Sequence, residues 1–207
     1  DHVTVGQGAF SDLIGPELMF AHQLDTYYED PVLIIKTAWG GLSLAEDFRP
    51  PSAGGTTGPY YNAMIETVES VTQNLATEFP EIPVDEFEIS GFAWFQGWND
   101  GASEEFLDTY ESNLHHLVND VRSDLNLPEM PVVISSSGHG GYEDFGGWME
   151  DIQDIVAVAQ ENVGCNDSIY GGTVGFVDTK PLWITMAESP DDAGYHFHNN
   201  ARTFLNI

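Results

Sequence analysis

The 207-residue chain carries 34 Asp plus Glu against 5 Lys plus Arg, a formal charge of −29, with 42% hydrophobic and 12% aromatic residues. That content is too apolar for an acidic disordered tail, and the length suits a single domain with a full core over residues 1–207. So negative a field repels phosphate backbones and excludes nucleic acid as a partner, and no apolar run approaches the roughly 18–20 residues of a membrane span.

In chain order, residues 17–28 read as a helix. Val32-Leu33-Ile34-Ile35 is a short apolar, β-branched run, a strand that ends in Trp39-Gly40-Gly41. Met64, Ile65, Val68, Val71, Leu75 and Phe79 fall on one helical stripe, which stops before Pro80. Residues 87–95 make a second strand, ending in Gln96-Gly97-Trp98-Asn99-Asp100. Phe106, Tyr110, Leu114, Leu117, Val121 and Leu125 form a second stripe, with Ser103 as N-cap and Glu104 and Glu105 in its first turn. Pro131-Val132-Val133-Ile134 is a third strand and leads into Ser135, Ser136, Ser137 and Gly138. Ile152, Ile155, Val156 and Val158 mark a third helix, Val174-Gly175-Phe176-Val177 is a fourth strand, and a last helix follows His198. Continuous apolar runs suit strands buried on both faces. The βαβαβαβα order implies a mostly parallel sheet with helices on both faces, one α/β domain without repeats or linkers.

Lys36 and Lys180 are the only lysines, and the acids are spread along the chain. A surface charged for solubility gives this pattern. So does adaptation to high salt, where screening over about 3 Å at 1 M makes a dense carboxylate coat tolerable. Cys165 stands alone, so no intramolecular disulfide can form. The first residue is Asp1 and no signal peptide is visible, which fits a mature form or a fragment.

Ligands of such sheets bind beyond the carboxyl ends of the strands, and here those ends are rich in glycine and polar residues. Gly40-Gly41 lets a backbone N–H approach a bound oxygen unobstructed. Asn99, just past a strand end, can donate its side-chain amide to a developing oxyanion. Asp191-Asp192-Ala193-Gly194-Tyr195-His196 sets acids a few residues before a histidine, a spacing in which a carboxylate orients the imidazole that serves as base. Trp39, Trp94 and Trp98 cluster near strand ends, where indole faces stack on sugar rings or pack into the core. His115 and His116 sit within an amphipathic helix as surface or partly packed residues. His139 lies in a glycine-rich loop that either lines the cleft or is plain connection. No histidine–carboxylate spacing makes a metal site, and no loop cradles phosphate, so neither metal nor cofactor is implied.

These stretches resemble the SGNH hydrolases, and more closely their sialate O-acetylesterase and family-six carbohydrate esterase branch. The matching segments are Lys36-Thr-Ala-Trp-Gly-Gly41, Gly91-Phe-Ala-Trp-Phe-Gln-Gly-Trp-Asn-Asp100 and Asp192-Ala-Gly-Tyr-His-Phe-His198, with support from Ile14-Gly-Pro-Glu17 and Asp47-Phe-Arg-Pro-Pro-Ser52. The likeness runs over nearly the whole chain. It implies a three-layer α/β/α, flavodoxin-like fold and a carbohydrate O-acetylesterase acting on acetylated sugars or polysaccharides. By the resemblance Gly41 and Asn99 form the oxyanion hole and His196 is the general base, with His198 as its rival. Asp192 is the acidic partner, with Asp191 its alternative. Trp39, Gln96 and Trp98 would bind substrate, and secretion or a periplasmic location is favoured.

The family's nucleophilic serine lies in a Gly-Gln-Ser-Asn motif after the first strand, and this chain has none. Gly6-Gln7-Gly8 echoes it with glycine in place of serine; Ser11 fits a nucleophile turn poorly, and Ser135, Ser136 and Ser137 follow the wrong strand. One expectation is that the first strand and serine lie on a preceding polypeptide segment, leaving the sheet of this chain without that member. The other is a catalytically silent carbohydrate-binding protein of the same fold. In dilute buffer the charge disfavours anionic sugars and suits neutral acetylated xylan-like chains.

Overall fold

A computed structural model describes residues 15–82, 86–138, 141–142 and 148–183. The helices are α1 (Glu17–Asp25), α2 (Pro59–Gln73), α3 (Leu75–Glu78), α4 (Glu104–Asp124), α5 (Trp148–Gly164) and α6 (Asp167–Tyr170). The strands are β1 (Phe92–Phe95), β2 (Val132–Ser135) and β3 (Val174–Val177), and short 3-10 turns occupy Pro51–Ala53, Asp100–Ala102 and Lys180–Leu182. Two compact units divide the chain: residues 37–137 with 147–178, and residues 1–36 with 138–146 and 179–207.

The first of these units is built on the sheet. All three strands run parallel in the order β1-β2-β3, with Phe92 opposite Val132 and Val132 opposite Val174. Parallel neighbours need a crossover, which α4 supplies between β1 and β2 and α5 between β2 and β3. Right-handed crossovers that step in one direction lay both helices on the same face, and α4 and α5 pack on each other. The fold is α/β, as the alternation of elements implies.

The α4 stripe is the best-realised part of the pattern. Tyr110, Leu114 and Leu117 are fully buried and Val121 nearly so, and all join a core with Val132, Ile134, Val156, Val163 and Val174. Burying one such aliphatic side chain stabilises by about 1.5–3 kcal/mol, so this stripe is a main source of the unit's stability. Ser103 sits at the N-cap with extended backbone, but its hydroxyl makes no cap bond; the Phe106 and Leu107 N–H groups bond its carbonyl instead.

Other expectations differ in detail. The stripe read through Phe79 as one helix breaks at Asn74, whose φ of −115° and ψ of 14° leave the helical region, giving α2 and the one-turn α3. On α5 the buried positions are Val156, Ala159, Gln160 and Val163, whereas Ile155 and Val158 are exposed, so the inward face is turned from the one expected. Gly164 ends that helix against β3, where a Cβ would lie 2.6 Å from the Phe176 Cβ; glycine permits the close approach. The strand expected over 87–95 is confined to Phe92–Phe95.

The other unit contributes α1 and the turn Lys180–Leu182, with an ion pair of 2.9 Å between Lys36 Nζ and Glu17 Oε1. Helix α1 stops at Asp25, short of Tyr28. The run Val32-Leu33-Ile34-Ile35, expected as a strand, joins no ladder among the described residues, and Val32 and Leu33 are exposed. An apolar run becomes a strand only where a neighbouring chain pairs its N–H and C=O groups.

Candidate functional site

At the carboxyl ends of the strands, β1 runs into Gln96-Gly97-Trp98-Asn99-Asp100 and β2 into Ser136-Ser137. One buried carboxylate organises the first of these. Asp100 has no exposed surface, and its Oδ2 accepts from the Leu44 N–H at 2.8 Å and from Gln96 Nε2 at 2.6 Å. Its Oδ1 accepts from the Ala45 N–H at 2.9 Å. Burial pushes the Asp100 carboxyl above the usual carboxylate range, while the donors from Gln96, Leu44 and Ala45 pull the other way by satisfying the charged form.

The network continues inward. Gln96 Nε2 also donates to the Leu42 carbonyl at 3.0 Å, and the Tyr110 hydroxyl donates to the Gln96 carbonyl at 3.1 Å. Gln160, fully buried on α5, donates to the same carbonyl at 2.6 Å and accepts from the Ser137 N–H at 3.2 Å. Side chains from two helices thus fix the ends of two strands. Gly97 sits among them: a Cβ there would fall 2.7 Å from Val156 Cγ1 and 3.2 Å from Gln160 Nε2. Ser136, also fully buried, donates to Asp178 Oδ1 at 3.1 Å, so its hydroxyl already has an acceptor in the protein.

The segment before this turn carries Gly41 with φ of +76°, a left-handed conformation that favours glycine, and a Cβ there would meet nothing within 4 Å. Asn99 Nδ2 donates to the Gly41 carbonyl, so the two residues expected to form the oxyanion hole are brought together. An amide nitrogen has two hydrogens, and this bond uses one of them. Beside them Trp39 is 42% exposed and packs on Tyr60, with ring centroids 5.1 Å apart, and on Phe48 at 6.1 Å. Trp98 is half-buried, while Trp94 is buried edge-on against Phe48 at 5.4 Å and belongs to the core.

His196, Asp192, Asp191, His198, His139 and Ser11 lie outside the described residues. His115 and His116 are packed on other groups: His115 Nδ1 lies 2.6 Å from the Tyr170 hydroxyl, and His116 Nδ1 lies 2.7 Å from Ser52 Oγ. The Ser52 N–H donates to Asp120 Oδ2 at 2.8 Å, so this Ser-His-Asp group seats the turn Pro51–Ala53 on α4. Among the described residues no group of three His, Cys, Asp or Glu side chains is placed to hold a metal ion.

A family model for carbohydrate esterase, sialic acid-specific acetylesterase, matches residues 4–197. The chain belongs to this family. A stretch of 58 residues is 34% identical to a protein of Arabidopsis thaliana named as a probable carbohydrate esterase, covering 28% of this esterase-family chain and 22% of that relative's length. The X-ray structure of that Arabidopsis thaliana protein superposes with a TM-score of 0.63 at 20% identity, over 99% of this chain and 70% of the other, a likeness of fold.

The structure sets Asn99 against Gly41, the two residues that the resemblance pairs, and adds Asp100, Tyr110 and Gln160, to which the sequence assigns no part in the site. Tyr110 reads in the sequence as an apolar member of the α4 stripe. Gln160 carried a usable signal: it is a polar residue one step from Ala159 and three from Val163 on the buried face of an amphipathic helix, where an unsatisfied amide would be costly.

Proposed function

We propose that the chain is a carbohydrate O-acetylesterase that removes acetyl groups from sugars by serine-type acyl transfer. The observation that carries the reading is the Asn99 amide set against Gly41 at the carboxyl end of a parallel sheet, within a carbohydrate esterase family. Oxyanion catalysis needs fixed N–H donors aimed at the oxygen on which charge develops, and removing one such donor typically lowers kcat about 10²–10³-fold. The Gly41 N–H and the second Asn99 hydrogen would be the two donors, and the space around a Gly41 Cβ, empty to 4 Å, leaves room for an acyl oxygen.

In the reaction, a serine Oγ bonds to the acetyl carbon as its proton passes to His196, held by Asp192. The bond from carbon to sugar oxygen then breaks, and that oxygen takes the proton from His196. Water adds next by the same route, releasing acetate. The resemblance gives the nucleophile's part to the serine of a Gly-Gln-Ser-Asn block that this sequence does not carry. That serine then comes from a further polypeptide segment, and probe labelling tests for it. Trp39, exposed and braced by Tyr60, offers a face on which a sugar ring stacks, and Trp98 is the second substrate contact that the resemblance implies, while the Gln96 amide is taken up by Asp100 and the Leu42 carbonyl.

The test is hydrolysis of a chromogenic acetyl ester by the wild type and by His196→Ala, with a fluorophosphonate probe in parallel. Loss of hydrolysis in the variant and labelling of a serine in the wild type are expected. Undiminished hydrolysis by His196→Ala removes that residue from the mechanism. Binding of acetylated sugar without labelling supports the catalytically silent binding protein instead.

A further inference from the structure

We infer that Asp100 is a positioning residue that clamps both sides of the oxyanion hole through one buried carboxylate; the inference rests on the reading of Gly41 and Asn99 given above. Three donors converge on it: two successive backbone N–H groups, Leu44 and Ala45, and the Gln96 side chain. Leu44 and Ala45 lie three and four residues beyond Gly41, so the carboxylate fixes the segment that carries the Gly41 N–H. Asn99 immediately precedes Asp100 in the chain, so the same anchor fixes the backbone of the other donor.

The geometry needs a carboxylate. An amide presents one accepting oxygen and turns two hydrogens toward donors, so it cannot receive the Leu44, Ala45 and Gln96 groups together. With no exposed surface at Asp100, water does not replace a lost partner. The closing contact is the bond from Asn99 Nδ2 to the Gly41 carbonyl, which joins the two clamped segments at the hole itself. A displacement of about 1 Å at such a site costs up to 10²-fold in rate, so a residue that touches no substrate can set kcat.

Asp100→Asn, Asn99→Ala and the double variant are compared by steady-state kinetics on an acetyl ester, and amide hydrogen exchange is measured on the wild type and Asp100→Asn. Asp100→Asn is expected to lower kcat roughly tenfold to a hundredfold while KM stays within about twofold. The Leu44 or the Ala45 amide, whichever faces the new NH2 group and so loses its acceptor, is expected to exchange at least about tenfold faster in it, with α4 unchanged. The double variant is expected to be no more than about twofold slower than the slower single variant, because both changes disable one hole. Losses that multiply, or an unchanged kcat in Asp100→Asn, overturn the clamp while leaving the hole standing. An unchanged kcat in Asn99→Ala overturns the hole, and the clamp's catalytic role with it. If Asp100→Asn does not fold, Gln96→Met, which removes the third donor at similar volume, carries the test: a fall in kcat at constant KM supports positioning. A change in KM alone makes Gln96 a substrate contact and overturns it.

Discussion

Replacing Gly97 with alanine should disturb the strand-end turn and the network beneath it together. The added methyl would lie 2.7 Å from Val156 Cγ1, 3.2 Å from Gln160 Nε2 and 3.4 Å from Ser137 Cβ. The optimum separation of carbon atoms is about 3.5–4.0 Å, so the overlap with Val156 approaches 1 Å. Val156 and Gln160 both have no exposed surface, so neither can swing into solvent. Overpacking of this kind costs about 1–3 kcal/mol. For a chain of this length that lowers Tm by about 2–4 °C per kcal/mol, so a fall of roughly 2–12 °C is expected. Urea unfolding followed by circular dichroism measures it, with a lower midpoint at unchanged m. Displacing Gln160 also strains its bonds to the Gln96 carbonyl and the Ser137 N–H, so esterase kcat should fall in the same variant. A Gly97→Ala protein with the midpoint and Tm of the wild type would refute the packing on which this account of the site depends.

The remaining expectations concern charge. With a formal charge of −29, self-repulsion opposes folding at low ionic strength, so Tm should rise from dilute buffer to molar salt; a Tm unchanged by salt contradicts this. Burial lowers the His115 imidazole below its ordinary value of 6.5, with Glu111 pulling it back up and His116 pushing it further down. A histidine held neutral in the fold gives stability that is present above pH 6.5 and is lost as pH falls through the lower folded value. The stability of the wild type relative to His115→Gln should therefore be greater at pH 8 than at pH 5, and a difference that grows toward acid would contradict the sign.

The α/β alternation was legible because α4 writes its burial plainly: Tyr110, Leu114, Leu117 and Val121 recur at helical spacing and all face inward. Gly41 and Asn99 stood out because a glycine turn frees a backbone N–H and an amide side chain can donate, and the resemblance assigned both to one hole. The structure sets the Asn99 amide against the Gly41 carbonyl, although the run before Gly41 is not a strand. What escaped was set by tertiary contact. Val32-Leu33-Ile34-Ile35 has strand composition, yet composition cannot say whether a partner strand is present to receive its backbone groups. Ile155 and Val158 are apolar and exposed, and Gln160 is polar and buried, because three hydrogen bonds satisfy its amide where α5 meets the ends of β1 and β2. Asp100 stood in the quoted motif, but an acid read from sequence looks solvated until the donors around it are known. Its partners Leu44 and Ala45 lie 56 and 55 residues away in the chain.

The most direct test of the account is acetate release from a neutral acetylated xylo-oligosaccharide by the wild type and by Asn99→Ala. The account predicts acetate release by the wild type and a loss of kcat of about 10²–10³-fold in the variant, with KM little changed. Oligosaccharide bound by the wild type with no acetate released, or equal kcat in the two proteins, would contradict it.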